Sequence, residues 1–302
     1  MPFSLISSKV SLEGYMEQCV KELLNGEKVG DILDCYHLQK YELLTKIREE
    51  LWNIKHLNNE ETLNKLSTTF YQECFLLRIS KKPVALFSDT HFGSKDEKLE
   101  YYQMFIDFCL TNHIYTLLHG GDIGDGLVRC STKYRNSLKQ LDHILEVYID
   151  SPFLKQYILG GNHDEKYHHH GIDILKELAM NKRNITPLGY GQCFIQIFNN
   201  IVSIEHHARL SKEEKILPYD FTIAGHSHKS RFTNHSVRIP TLSNSIQYPN
   251  IIEGLPGFII MIPIKKENKL CFERYYFING KIKKEEKTYI YQLQKRSPHS
   301  VW

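Results

Sequence analysis

No two cysteines of this sequence have C-x-x-C spacing; all seven (Cys19, Cys35, Cys74, Cys109, Cys130, Cys193, Cys271) are scattered. That excludes paired-thiol metal and redox motifs, and thiols set mostly in apolar surroundings imply a reducing compartment. Long apolar runs are missing as well. The longest, Phe258 to Ile262, is far too short to cross a bilayer, and the N-terminus has neither the basic start nor the apolar stretch of a secretory signal. The expectation is a cytoplasmic protein with no membrane partner. There is no internal repeat and no low-complexity linker. Net charge is small, +3 over 302 residues, too little by itself to imply nucleic acid. Length admits one large domain, or one domain with a small appendage.

The charge that is present is uneven. Residues 1–70 hold 8 Lys+Arg against 11 Asp+Glu, whereas residues 265–296 hold 10 basic and 4 acidic side chains. On a strand, lysines guarding a sheet edge explain such an excess. Leu23, Leu24, Val29, Ile32, Leu33, Leu38, Leu43, Leu44, Ile47 and Leu51 recur at helical spacing. Asn25-Gly26 breaks the first helix, and the spacing then predicts a helix from Val29 to Cys35, a turn over Tyr36–Gln39 and a helix from Lys40 to Trp52. This is a helix-turn-helix pattern, which can serve DNA binding or assembly. Its acidity, with Glu42, Glu49 and Glu50 near the second helix, opposes phosphate binding.

A second domain is expected over residues 71–302. Strands are predicted at Glu73–Ile79 and Val84–Ser88, joined at Lys81-Lys82-Pro83. Helix and strand patterns then alternate: helix Lys98–Thr111, strand Tyr115–His119, helix Lys133–Ile149, strand Gln156–Leu159 and helix Ile172–Met180. From Gln192 onward strands dominate, at Phe194–Phe198, Ile201–Glu205, Phe221–Ala224, Gly257–Ile264, Leu270–Ile278 and Lys287–Gln294. An α/β half followed by a β-rich half implies two sheets packed face to face with flanking helices, plus the N-terminal all-α segment.

Five stretches lie where apolar runs give way to glycine and polar residues: Phe87-Ser88-Asp89-Thr90-His91, Gly120-Gly121-Asp122-Ile123-Gly124-Asp125, Gly160-Gly161-Asn162-His163-Asp164, Glu205-His206-His207 and Gly225-His226-Ser227-His228. In an α/β sheet these are the carboxyl ends of strands, where ligands bind. Asp89 and His91, two positions apart on an extended strand end, would point to the same side. The oxygen and imidazole donors together suit two divalent transition metals sharing a carboxylate. Singly, each residue has an ordinary explanation, such as a helix cap or a packed strand-end histidine.

In this order, D-x-H, G-D-x-x-D, G-N-H-D, H and G-H-x-H, the motifs resemble the calcineurin-like metallophosphoesterase superfamily over roughly residues 84–262. The resemblance implies a first metal held by Asp89 and His91 with His226 or His228, Asp122 as the bridging carboxylate, and Asn162, His206 and His226 on the second metal. His206 is preferred to His207 because it directly follows the strand. By the same resemblance His163 is the general acid for the leaving oxygen and Asp125 its orienting carboxylate. Manganese is the expected metal, with iron or zinc fitting the same donors. The implied activity is a metal-dependent phosphoesterase acting on a phosphodiester, nucleic acid being a candidate substrate and partner, by in-line attack of a metal-bridging hydroxide. Ser88 to Gly93 looks like the first motif of nuclease-type members. The alternatives are a phosphomonoesterase or protein phosphatase, whose second motif continues into Arg-Gly where this chain has Gly126-Leu127, and a non-catalytic binding or scaffold protein. Arg129 and Arg209 are candidate phosphate clamps or plain surface arginines. His168-His169-His170 reads as a solvated tract and His119 as a packed strand end. Oligomeric state is not legible.

Overall fold

The computed structural model describes residues 12–38, 40, 43–44, 46–47, 50, 61–62, 65–66, 69, 73, 78–79, 82–127, 132–198, 200–206, 221–244 and 251–293. The chain divides into two compact units, with the break between Glu73 and Cys74.

In the first unit, α1 (Leu12–Asn25) and α2 (Val29–Tyr36) are separated by Gly26, whose φ of +104° is a left-handed stop that glycine supplies without a Cβ clash. Cys19, Val20 and Leu23 of α1 and Val29 and Ile32 of α2 are buried, as helical spacing requires. Tyr36 donates its hydroxyl to Glu22 at 2.6 Å. Lys40, Leu43, Leu44, Lys46, Ile47 and Glu50 are helical too, within the expected second helix. Glu42, Glu49 and Trp52 lie outside the described residues.

The second unit is a mixed α/β sandwich, the expected class. One sheet has seven strands in the order β13-β12-β11-β2-β3-β4-β5, formed by β2 (Val84–Phe87), β3 (Thr116–His119), β4 (Lys155–Gly160), β5 (Ile185–Tyr190), β11 (Gly257–Ile264), β12 (Lys269–Ile278) and β13 (Lys281–Gln292). Strands β2 to β5 run parallel and β11 to β13 antiparallel. The other sheet has six, β1-β6-β7-β8-β10-β9: β1 (Arg78–Ile79), β6 (Gln192–Ile197), β7 (Asn200–Glu205), β8 (Phe221–Ala224), β9 (Arg231–Phe232) and β10 (Ser236–Arg238).

Alternation along the strands sets the layers. Val84 and Leu86 of β2 and Ile259 and Met261 of β11 join Ile195, Val202, Ile204, Phe221 and Ile223 of the facing sheet in one core. Phe87 and Phe258 point the other way, onto Phe105 of α3 (Leu99–Thr111), with ring centroids 4.7 and 4.9 Å apart. Further helices are α4 (Ser137–Val147), α5 (Asn162–Glu165) and α6 (Ile174–Asn181), with a 3-10 turn at Lys166–His170.

Several boundaries differ from expectation. Glu73 is helical; the first strand covers Arg78–Ile79, and residues 74–77 lie outside the described set. That strand pairs with β6 in the six-stranded sheet. The helix expected from Lys133 starts at Ser137, because Asn136 caps it, accepting from the backbone N–H groups of Leu138 and Lys139. Strand β13 begins six residues before the expected Lys287. The histidine tract is exposed but occupies the ordered 3-10 turn.

Candidate metal centre

The carboxyl ends of β2, β3 and β4 in one sheet and of β7 and β8 in the other converge. Asp89, Asp122 and Asn162 follow the first three; His206 and the pair His226 and His228 follow the last two. Asp89, Asp122 and His206 are 0, 1 and 0% exposed, while His226 is exposed and His163 partly so. The cluster is therefore buried on the β2–β3 side and open toward His163 and His226.

Three donor groups form among the described residues, and two of them consist of expected ligands. Asp89, His91 and His228 have ligand atoms within 4.8 Å of one another, and so have Asp122, His206 and His226. His228, rather than His226, completes the first: its Nε2 lies 3.3 Å from Asp89 Oδ1 and 3.1 Å from His91 Nε2. Asp122 Oδ2 stands between the groups, 3.8 Å from His91 Nε2 and 3.1 Å from His206 Nε2. His206 is the imidazole at the end of β7; His207, Arg129 and Arg209 lie outside the described residues.

The backbone departs from the extended geometry expected at Asp89 and His91. Asp89, His91, Asp122, His226 and His228 have φ of 54°, 45°, 55°, 66° and 54°. Left-handed conformations in non-glycine residues cost energy and persist where surroundings over-determine them. Here the surroundings are backbone ties: Asp89 and His91 donate to the Gly121 and Asp122 carbonyls, and the His226 N–H to Asp89 Oδ2 at 3.1 Å. Close approach also fixes a glycine, since a Cβ on Gly121 would meet His206 Nδ1 at 2.3 Å.

These residues fit divalent cations on three counts. His206 donates Nδ1–H to the Gly120 carbonyl at 2.8 Å, which holds Nε2 toward Asp122, the second hydrogen bond usual for a metal-ligating histidine. Asn162 Oδ1 is buried, and among the described residues nothing donates to it. The donors are carboxylate, amide oxygen and imidazole, the set that borderline divalent ions take.

Electrostatics agree with a site built around charge. Burial would raise the Asp122 carboxyl, but the His206 hydrogen bond and the nearby imidazoles outweigh it and bring it down to about 2. Burial likewise opposes charge on His206, and Asp122 and Asp89 overcome it, lifting the ring to about 9. Asp89 is lowered against its burial by His228, His206 and His91. His91 falls to about 4, chiefly through burial.

Asp125 and His163 meet through main chain as well as side chain. His163 Nδ1 contacts the backbone carbonyl of Asp125 at 2.6 Å, and the His163 N–H donates to Asp122 Oδ1 at 2.9 Å. The Asp125 carboxylate lies beside His91 and His163. His119 is packed at its strand end, accepting from the Gly121 N–H and meeting Thr90 Oγ1 at 3.1 Å.

Two supporting residues went unassigned in the sequence. Asp164 is fully buried and accepts the N–H groups of Ile123, Gly124 and Gly161 at 3.1, 2.9 and 2.8 Å, which staples the second motif to the third. Burial and the charge of Asp122 push it up to about 7. Its position in Gly160 to Asp164 was the available signal. Thr241 donates to the Asp89 carbonyl at 2.8 Å, and nothing in Thr241-Leu242-Ser243-Asn244 announces that.

No protein-family model matches the sequence, and no curated protein matches it. Solved structures with a similar fold include a single mutant of Vps29 from Entamoeba histolytica, at 16% identity and TM-score 0.42, covering 68% of this chain and 99% of that one. Vps29 from Cryptosporidium parvum gives 18% and 0.40, covering 70% and 98%. A predicted phosphoesterase from Streptococcus pneumoniae gives 10% and 0.35, covering 68% and 98%. At such identities and TM-scores these neighbours assign no activity to the chain.

Proposed function

We propose that this protein is a phosphoesterase working with two divalent cations, and that its substrate is a phosphodiester. The observation carrying this is the position of Asp122 Oδ2 between two three-residue donor groups, supported by the undonated Asn162 Oδ1. Asp89, His91 and His228 would hold one cation, with Asp122, Asn162, His206 and His226 at the other. When bound, such cations activate water and offset charge on phosphoryl oxygens.

The chain's own groups supply the rest. Asp122 accepts the His163 N–H through Oδ1, leaving Oδ2 facing the imidazoles. His163 Nε2 lies 4.0 Å from Asp122 Oδ2, on a ring 22% exposed at the open side. Held at Nδ1 by the Asp125 carbonyl, it can deliver a proton from Nε2 to a leaving oxygen. The buried carboxylates lie behind, so an anionic ester would enter from the His163 and His226 side.

Manganese is the metal we favour, with iron and zinc suiting the same donors. The first motif supports a nuclease-type diester. No described helix is long and apolar enough to cross a membrane. The deciding experiment is hydrolysis of bis(p-nitrophenyl) phosphate, p-nitrophenyl phosphate and single- and double-stranded DNA with added Mn2+, alongside metal analysis. Two bound equivalents and preferential diester cleavage are expected. Cleavage of the monoester alone would replace the diester reading, and absence of metal would end the proposal. DNA binding measured over a salt series should decline steeply if phosphates are held.

A further inference from the structure

The largest fully buried side chain of the described residues is a cation, Arg274 on β12, 2% exposed. Its Nη2 pairs with Glu285 Oε1 on β13 at 2.8 Å, and its Nη1 donates to Ser230 Oγ. Arg274 Nε has no hydrogen-bond partner among the described residues. A buried ion pair that is incompletely satisfied contributes little net stability: replacing both partners by apolar residues of similar volume is often neutral, whereas removing one leaves an unpaired charge and destabilises. Such a pair points to a role other than holding the core together.

The local backbone is shaped around this contact. The β12–β13 register matches Glu273 with Thr288 and Tyr275 with Lys284, so Glu285, Glu286 and Lys287 oppose Arg274 alone. A bulge of this kind re-aims a side chain, and here Glu285 of β13 turns onto the guanidinium. Tyr289 supports it, donating to Glu285 Oε1 at 3.3 Å while stacking on Phe232 at 3.6 Å.

Ser230 is two residues beyond His228, at the downstream end of the loop whose His226 and His228 are both left-handed. The loop is tied upstream by the Gly225 N–H on the Glu205 carbonyl at 3.0 Å. Downstream, Ser230 is buried, donates its N–H to the Glu253 carbonyl at 2.9 Å and its hydroxyl to the same carbonyl at 3.4 Å, and takes the Arg274 hydrogen bond on that hydroxyl.

We propose, on the metal-binding reading above, that Arg274, aimed by Glu285, is a positioning residue that fixes the His226–His228 loop through Ser230 and so sets the affinity for the cations. The pair converts a bulge on the outer strand of one sheet into the placement of two imidazoles supplied by the other sheet. Partners bonded directly to a metal ligand typically change metal affinity by about 10–100-fold when removed, and Arg274, acting one residue further out through Ser230, belongs at the lower end of that range.

The test uses the full chain and Mn2+ as probe. Arg274→Met fills the same volume without the charge, and Ser230→Ala removes the hydroxyl. Calorimetric titration should give each variant an Mn2+ affinity lower by about 10-fold. The double variant should be no worse than Ser230→Ala alone, because that variant already lacks the hydroxyl through which Arg274 acts. Ser230→Thr, which keeps the hydroxyl, should restore near-wild-type affinity. Amide hydrogen exchange without metal should quicken at Ser227–Ser230 in the Arg274 and Ser230 variants, while β12 keeps its protection. Wild-type affinity together with unchanged exchange in that loop would overturn the proposal, whatever the melting temperature does. Should the wild-type chain bind no Mn2+, the metal reading fails, and the exchange experiment alone decides whether Arg274 positions the loop. If Arg274→Met does not fold, Ser230→Ala and Ser230→Thr still decide.

Discussion

His163 Nδ1 lies 2.6 Å from the backbone carbonyl oxygen of Asp125, so the main chain of the second motif orients the ring in the third. Any side chain at position 125 preserves that carbonyl. Asp125→Asn should therefore lower turnover far less than His163→Ala, which should cost about 10²- to 10⁴-fold if His163 delivers the proton. Metal content of His163→Ala should match wild type. Steady-state kinetics on the diester with parallel metal analysis check both, and equal losses in the two variants would assign the orienting role to the Asp125 carboxylate.

Asp122 Oδ2 faces imidazoles of both groups. Asp122→Ala should reduce bound metal to one equivalent or less, whereas His228→Ala should spare the Asp122, His206 and His226 group. Elemental analysis after dialysis distinguishes the two outcomes. Two retained equivalents in Asp122→Ala would remove it from the bridging position.

Gly161 has φ −104°, which any residue adopts, so its constraint is space. A Cβ there would meet Asp122 Oδ1 at 2.3 Å and Asp122 N at 2.5 Å, and the second is backbone that yields little. Gly161→Ala should destabilise the fold by about 1–3 kcal/mol, read as a lower urea midpoint at unchanged slope.

Acid sensitivity should be traceable to Glu97, whose side chain is 4% exposed. Burial pushes its carboxyl up, but Lys133, the Gly93 N–H and His143 outweigh that and hold it below the ordinary 4.5. A folded pKa below the unfolded one means the stabilisation is complete above pH about 5 and is lost as pH falls through the folded value. Glu97→Gln should lower stability at neutral pH and flatten its decline over that acid range. Urea unfolding from pH 3 to 7 measures it, and an unchanged acid slope in Glu97→Gln would exclude this contribution.

Much of the fold was legible because the second unit follows its pattern closely. Phe221–Ala224 and Gly257–Ile264 are strands with the expected ends, each a run of apolar residues that cores demand. What escaped was shorter or locally contradictory. Strand β5 contains Pro187 and Gly189, which read as loop, yet it pairs with β4 at the edge of its sheet, where a missing N–H is tolerated. Strands β9 and β10 are two and three residues long, below any periodicity. At the site, residue types were readable from the motifs, while the bond from His163 to a carbonyl was not: every residue carries a carbonyl. Nor did spacing disclose the left-handed turns at Asp89 and His91, which require the neighbouring loop to be in place.

The candidate donors come from opposite sheets, and His91 and His228, 3.1 Å apart in space, are 137 residues apart in the chain. In kinetic terms the cluster is a late arrival. Asp89, Asp122 and Asn162 can gather as the parallel strands β2, β3 and β4 assemble, but the imidazoles of His206, His226 and His228 come only with the docking of the second sheet. Closing so long a span costs chain entropy that only the buried sandwich core offsets. A cation would find few of its partners in the folding transition state. Added Mn2+ should then slow unfolding and leave the refolding rate as it is in chelator, a difference that stopped-flow fluorescence on both limbs would register.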